Sequence, residues 1–324
     1  KQEYKQERTI VKITKIINVL FFFLVMPFIL FAQTKKDTVR VYYLGGQSNM
    51  EGFGYAKELP EALRKKNNKT LIYQGNPVGD NDPSGGLGKW SVLQPGHGTG
   101  FTSDGKSNTL SDRFGVELSF VQKLQEEYPN QKIAIIKYAR NGSAIDSSGN
   151  NFFGSWEPDF RRVKNQYDYF LKTVQAAMAV KDINGDGVED VLVPSGILWM
   201  QGESDADKTE QIANNYYDNL KRLMSLIRAA FRNNDLPIVI GKISDSGDNE
   251  LGKIWRFGEL VQYGQEKFAL TEPNVRIVRS TSKYFYSDKY HYKSEGYIDL
   301  GKEFAKAIVN LNKKDNNHPE IQHN

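Results

Sequence analysis

The chain of 324 residues contains no cysteine. No disulfide can brace it, so its folded state must rest on a packed core. Surplus charge is also scarce: 43 Lys and Arg against 39 Asp and Glu leave only +4. Residues 1–33 carry Lys1, Lys5, Arg8, Lys12 and Lys15 against Glu3 and Glu7, which accounts for +3 and leaves about +1 for everything that follows. A body so close to neutral has no global field with which to gather phosphates. No run of Lys and Arg interleaved with aromatics follows residue 40 either, so nucleic acid is not an expected partner. Internal repeats, low-complexity linkers and composition breaks are absent between residues 38 and 312, which argues for one domain there.

What is present is apolar mass. With 39% hydrophobic and 12% aromatic residues the chain can bury a full core. Basic residues at the N-terminus precede the apolar stretch from Ile16 to Ala32, and polar residues follow it. That order is the order of a secretory signal peptide over residues 1–33, and the expectation is an exported, periplasmic or extracellular protein that meets the membrane only through this segment. An uncleaved anchor is the competing reading, because the stretch reaches the lower limit for spanning a bilayer. Pro27 and the small Ala32 favour cleavage. The polar segment 313–324 reads as a fraying tail.

From residue 38 onward short β-rich runs alternate with long amphipathic stretches, the pattern of a parallel sheet covered by helices. Strands are predicted at Val39 to Leu44, Lys132 to Tyr138, Ile197 to Gln201 with its approach from Leu192, Leu236 to Ile243, and Val275 to Val278. Apolar residues recur at helical spacing over Phe160 to Met178, Ile212 to Phe231, Leu118 to Leu124 and Tyr297 to Leu311. Gln74 to Asp112 is rich in Gly, Asp, Asn and Ser and reads as one long, functional loop.

Ser48 stands where the first strand, VRVYYLGG, runs out. Ligands of open α/β sheets bind at that carboxyl edge. Its hydroxyl is either a nucleophile or an N-cap for the following segment. A serine nucleophile needs a base, and the chain has only four histidines. His318 and His323 lie in the tail, and His97 has no carboxylate beside it and reads as an exposed loop residue. His291 follows Asp288 by three residues, close enough for one loop to present an imidazole and the carboxylate that orients it. A further motif, DINGDGVED, places Asp182, Asn184, Asp186 and Asp190 around Gly187 like the start of a calcium loop. Val193 occupies the twelfth position, where such a loop needs a bidentate Glu, and a plain Asp/Asn/Gly turn accounts for the same residues. No cofactor is required by this reading, with structural calcium the one metal the residues suggest.

GQSNM at 46–50, WMQGESDA at 199–206 and DKYH at 288–291, in that order, resemble the SGNH hydrolase superfamily. Within it they are most similar to the sialate O-acetylesterase and acetylxylan esterase branch. RFGVELSF at 113–120 and KYARNGSAI at 137–145 agree, so the resemblance covers roughly residues 38–310. It implies a flavodoxin-like three-layer α/β/α sandwich about a central, mostly parallel five-stranded sheet. It implies Ser48 as nucleophile, His291 as base and Asp288 as its acid partner. The backbone N–H groups of Ser48 and Gly142 and the side-chain amide of Gln201 would form the oxyanion hole. Gln47 and Glu203 would stand behind them, Glu203 orienting Gln201 or its loop, with an exposed or helix-capping role as the alternative for Glu203. Asn141 stands where that branch more often has a glycine. The function implied is removal of acetyl groups from a glycan or sialic acid. The alternatives are a GDSL-type lipase or thioesterase acting on longer acyl chains, and a catalytically silent carbohydrate-binding protein.

Overall fold

A computed structural model describes residues 36–149, 152–159 and 163–315. The stretch read as a signal peptide, residues 1–33, lies outside them; of the tail expected over 313–324, residues 313–315 continue the last helix and the rest lies outside the described residues. Among the described residues no helix is long and apolar enough to cross a membrane.

The main sheet has seven strands: β1 (Thr38–Gly46), β2 (Asn67–Gln74), β3 (Trp90–Leu93), β4 (Lys132–Ala139), β5 (Val191–Met200), β6 (Ile238–Gly241) and β7 (Val275–Val278). They lie in the order β7-β6-β5-β1-β4-β2-β3. All neighbours are parallel except β3, which runs antiparallel to β2 at one edge. The five predicted strands are all present; β2 and β3 correct the expected count. β2 offers a short apolar core, Leu71 to Tyr73, after a polar start, and the four residues of β3 sit inside what reads as loop. Neither run is long enough to show a period, and both are made strands by the neighbour each pairs with.

The helices used below are α1 (Ser48–Glu51), α2 (Glu117–Glu127), α3 (Gln166–Ala179), α4 (Glu203–Asp207), α5 (Glu210–Ala230), α6 (Gly258–Thr271) and α7 (Ser294–Asp315). Side chains alternate across a strand, so adjacent tyrosines of β1 enter opposite layers. Tyr42 meets Phe120 of α2 with ring centroids 5.3 Å apart, while Tyr43 meets Phe170 of α3 at 5.0 Å. α7 packs on α2, and α6 on α5. The result is the expected three-layer sandwich with the central strands buried on both faces. Asn165 starts α3 with a capping box, its side chain accepting from the N–H of Asp168 while Asp168 accepts from its own.

Residues 182–190 form a turn between α3 and β5 whose oxygens are taken up by its own backbone. Asp182 accepts from the N–H groups of Gly185, Asp186 and Gly187, Asp186 from Val188, and Asp190 from Ile183. Among the described residues no group of three or more His, Cys, Asp or Glu converges as an ion site.

Beneath the carboxyl edge of the sheet lies a buried charge. Lys137 of β4 and Glu117 of α2 are both fully inaccessible and pair at 2.8 Å. The ammonium also donates to the carbonyls of Glu51 at 2.9 Å and His97 at 2.7 Å, so all three of its protons are used. Glu117 in turn accepts from the N–H of Gly115 at 2.9 Å. His97 is therefore not an exposed loop residue. It is buried, with Nδ1 2.8 Å from Oε1 of Gln74, and burial together with Lys137 pulls its pKa down to about 3.

Replacing Lys137 by Met is expected to destabilise the fold by about 3–5 kcal/mol, because it strands the Glu117 carboxylate in the interior. Urea unfolding should show the loss, and Glu117→Gln added to Lys137→Met should recover part of it.

Candidate active site

The site grows from the end of β1. Gly46 has φ 142, and a Cβ there would lie 2.0 Å from the carbonyl oxygen of Met200, so only glycine lets β1 and β5 finish this close together. The chain then turns at once into α1. Gln47 occupies the cap position and makes no side-chain capping bond, while Ser48 is the first helical residue. The N-cap role for Ser48 is thereby excluded. Being first in the helix also leaves its N–H without an intrahelical acceptor. Among the described residues neither that N–H nor the N–H of Gly142 has a hydrogen-bond partner. Gly142 has φ 68, and a Cβ on it would meet the Phe153 ring at 2.4 Å.

Asn49 ties the His291 loop to this turn. Its Nδ2 donates to Glu203 Oε1 at 2.8 Å and to the carbonyl of Tyr290 at 3.2 Å, and its Oδ1 accepts from the Tyr297 hydroxyl at 2.8 Å. Tyr290 precedes His291, so the residue after Ser48 holds the backbone before the imidazole. The imidazole is itself over-determined. Nδ1 lies 2.8 Å from Asp288 Oδ2, and Asp288 Oδ1 accepts from the N–H groups of Tyr290 and His291 at 2.7 and 2.8 Å. Phe53 stacks on the ring at 3.6 Å with an interplanar angle of 3°. Asp288 thus fixes the tautomer with the proton on Nδ1 and leaves the lone pair of Nε2 free. No hydrogen bond joins the Ser48 hydroxyl to His291 among the described residues, a looseness common in sites without substrate.

Burial sets the electrostatics. It lowers the pKa of His291, against the opposing pull of Asp288, so the imidazole is neutral at neutral pH. Partial burial pushes Asp288 up, but its bonds from His291 and from the Tyr290 N–H outweigh this and hold it below the ordinary carboxylate value. Glu203 is pushed up to about 7 and Asp205 to about 6, each first of all by desolvation.

The expected part for Gln201 does not survive the geometry. Its Nε2 carries two protons, and both are spent: one on the carbonyl of Ser143 at 3.2 Å, one on Asp205 Oδ2 at 2.6 Å. The residue is 0% exposed, with its carbonyls held by Tyr216 and Gln265. An amide so engaged has no donor left for an oxyanion. Gln201 and Asp205 instead hold the loop that carries Gly142, for Asp205 also accepts from the N–H groups of Ile145 and Asp146 at 2.9 and 3.0 Å. Glu51 grips the same loop from the other side, accepting from the N–H of Asn141 at 2.6 Å. Glu203 supports Asn49 rather than Gln201, and its second oxygen is buried without a partner. Gln47 stands behind the turn as expected, its Oε1 accepting from the N–H groups of Gly202 and Ser204 at 3.3 and 3.2 Å.

The supports that sequence reasoning missed are Asn49, Glu51, Phe53 and Asp205. One signal pointed to two of them, Asn49 and Glu51: a strand end followed by polar residues that must be buried, as Gln47, Ser48, Asn49 and Glu51 all are.

No curated protein sequence matches the chain. Among solved structures, a protein from Arabidopsis thaliana superposes with a TM-score of 0.58 at 20% identity, covering 84% of this chain and 98% of its own. A carbohydrate acetylesterase from Xanthomonas citri gives 0.56 at 18%, over 86% of this chain and 57% of its own. NanS gives 0.53 at 17%, over 86% and 99%. At these identities the likeness is one of fold. The sequence itself, over residues 38–310, matches the family model described as carbohydrate esterase, sialic acid-specific acetylesterase, and the chain, a serine ester hydrolase, belongs to that family.

Proposed function

We propose that the chain removes acetyl groups from O-acetylated sugars, with Ser48 as nucleophile, His291 as general base and Asp288 as the carboxylate that orients the base. The observation that carries this is the Asp288–His291 pair, held through Asn49 beside a serine whose own N–H is unpaired. His291 Nε2 takes the proton of the Ser48 hydroxyl as its oxygen attacks the acetyl carbonyl carbon. The carbonyl oxygen, now anionic, accepts from the N–H groups of Ser48 and Gly142, the donors that have no acceptor of their own. Collapse of the tetrahedral intermediate breaks the ester bond, and the imidazolium returns its proton to the departing sugar oxygen. Water attacks the acetyl-serine with His291 again as base, and acetate leaves. No metal or cofactor enters these steps. Export, read from residues 1–33, fits a substrate found outside the cytoplasm.

Ser48→Ala is expected to lower turnover on the order of 10⁴–10⁶-fold on 4-nitrophenyl acetate. Undiminished acetate release from that variant would sink the assignment.

The pH dependence follows from burial. A base with a depressed pKa stays unprotonated further into acid, so the acid limb of kcat/KM should have its midpoint below the ordinary imidazole value of about 6.5. Asp288→Asn removes the charge that pulls the other way and should move the midpoint lower still, besides slowing turnover. A wild-type midpoint at or above 7 would contradict the geometry.

Acyl-chain preference separates a sugar deacetylase from a lipase-like enzyme. Rates on acetyl, butyryl and octanoyl esters should fall sharply along the series; a flat or rising profile would favour longer acyl substrates.

A further inference from the structure

The loop after β4 carries two residues whose adjacency has a chemistry of its own. Asn141 precedes Gly142, and glycine, having no Cβ, offers the least hindered peptide nitrogen to an asparagine side chain in front of it. Attack of that nitrogen on the side-chain carbonyl carbon closes a five-membered succinimide. Whether the ring forms depends on what the fold leaves free. Among the described residues the Asn141 side-chain amide makes no hydrogen bond, and neither the carbonyl of Asn141 nor the N–H of Gly142 has a partner, so the whole peptide unit between them is unpaired. Both residues are partly exposed, so water reaches them. The chain on either side is held: the N–H groups of Arg140 and Asn141 donate to the Gly46 carbonyl at 3.0 Å and to Glu51 Oε2 at 2.6 Å, and the Ser143 carbonyl accepts from Gln201 Nε2 at 3.2 Å.

The chain has a second Asn-Gly pair, Asn184–Gly185, in the turn between α3 and β5. By sequence the two pairs are equivalent, and by exposure Asn184 is the more open. Hydrogen bonds reverse that order. The N–H of Gly185 donates to Asp182 Oδ1 at 2.7 Å, Asn184 Oδ1 accepts from the N–H of Asp186 at 2.8 Å, and Asn184 Nδ2 donates to Asp186 Oδ2 at 3.0 Å, so nucleophile and electrophile are both committed elsewhere. No such bond protects Asn141. The reason lies in the site: an N–H that is to receive an oxyanion must be left unpaired, and an unpaired N–H that follows an asparagine is also a free nucleophile.

We propose that Asn141 is a site of spontaneous deamidation, and that its conversion to isoaspartate disables the active site. The Gly142 nitrogen forms a bond to Cγ of Asn141 and the Cγ–Nδ2 bond breaks; the proton of the attacking nitrogen leaves with Nδ2 as ammonia. Water then opens the succinimide. Hydrolysis at Cγ gives aspartate on the original backbone, whereas hydrolysis at the α-carbonyl routes the chain through Cβ and adds one atom between the Cα of residue 141 and the Gly142 N–H. Glu51, Gln201 and Asp205 fix the loop on both sides, so the extra atom displaces that N–H. The modification itself is independent of the esterase reading above; its consequence for activity rests on that reading.

The test holds the purified protein in mildly alkaline buffer at physiological temperature and follows two readouts together: aspartate and isoaspartate at each asparagine, by peptide mapping and isoaspartyl methyltransferase labelling, and turnover of 4-nitrophenyl acetate. Conversion at Asn141 should run ~10-fold or more ahead of Asn184, because each hydrogen bond that must first break is worth up to about that factor. Turnover should fall in proportion to the isoaspartate at 141, the converted molecules being slower by ~10²–10³-fold, as for loss of one oxyanion donor. Asn141→Gln, whose longer side chain would have to close a six-membered ring, should keep its own initial activity over the same period while Asn184 converts as in the wild type. Conversion at Asn184 ahead of Asn141, or none at Asn141, overturns the proposal, and that comparison needs no variant to fold. Isoaspartate accumulating at 141 in protein that keeps its full activity overturns the link to the site, and so does activity lost equally fast by Asn141→Gln. Fresh protein inactive on every ester takes down the esterase reading and with it the loss of activity, while the order of conversion at Asn141 and Asn184 still decides the modification.

Discussion

The site depends on one turn of helix that must bury polar side chains immediately after a central strand. Gly46 lets β1 end against β5, and the next residues, Gln47 to Glu51, have no apolar exit except Met50. Apart from Ser48, the buried polar side chains there find partners on other segments: Gln47 on the start of α4, Asn49 on Glu203, Tyr290 and Tyr297, Glu51 on Asn141. The demand for hydrogen bonds in a dry interior is what draws three loops, far apart in sequence, onto Ser48. Leaving any one of these groups unpaired costs about 1–3 kcal/mol, so the loops are held as firmly as the turn is buried.

The same burial shapes the chemistry. Lys137, a cation at the floor of the site, is neutralised by Glu117 and saturated by two carbonyls, one of them from α1 itself, so it braces the turn without lending a free charge. Glu203 and Asp205 lie fully inside with no cation paired to them among the described residues, and desolvation raises both. Their hydrogen bonds go to support: Glu203 to Asn49, Asp205 to the loop of Gly142. The pair that we propose acts on the substrate is Asp288–His291, where the carboxylate is partly exposed and held below the ordinary carboxylate value. The acidic block after β5 is thus scaffold, and the acidic residue near the C-terminal helix is the one that orients the His291 ring.

Much of this was legible in the residue order, and the parts that were not share a cause. The apolar runs of β1, β4, β5, β6 and β7 announce themselves by composition, and the scarcity of histidine together with the spacing of Asp288 and His291 singles out His291 as the candidate base. These are local patterns, which a chain carries wherever it goes. β2 and β3 are strands because a neighbour pairs with them. His97, read as an exposed loop residue, is buried because Gln74 and the Lys137 cluster close over it.

Gln201 shows the limit most clearly. Its residue type and its place after β5 suit an oxyanion donor, and nothing in WMQGESD says that Asp205 and Ser143 will take both of its protons. The sequence by itself determined which side chains could do acyl-transfer chemistry and in what layered sheet they would sit. Only the tertiary structure decided which of their donors and acceptors remain free, because a hydrogen bond is spent on whatever group the fold brings within reach, and that group is seldom a neighbour in the chain.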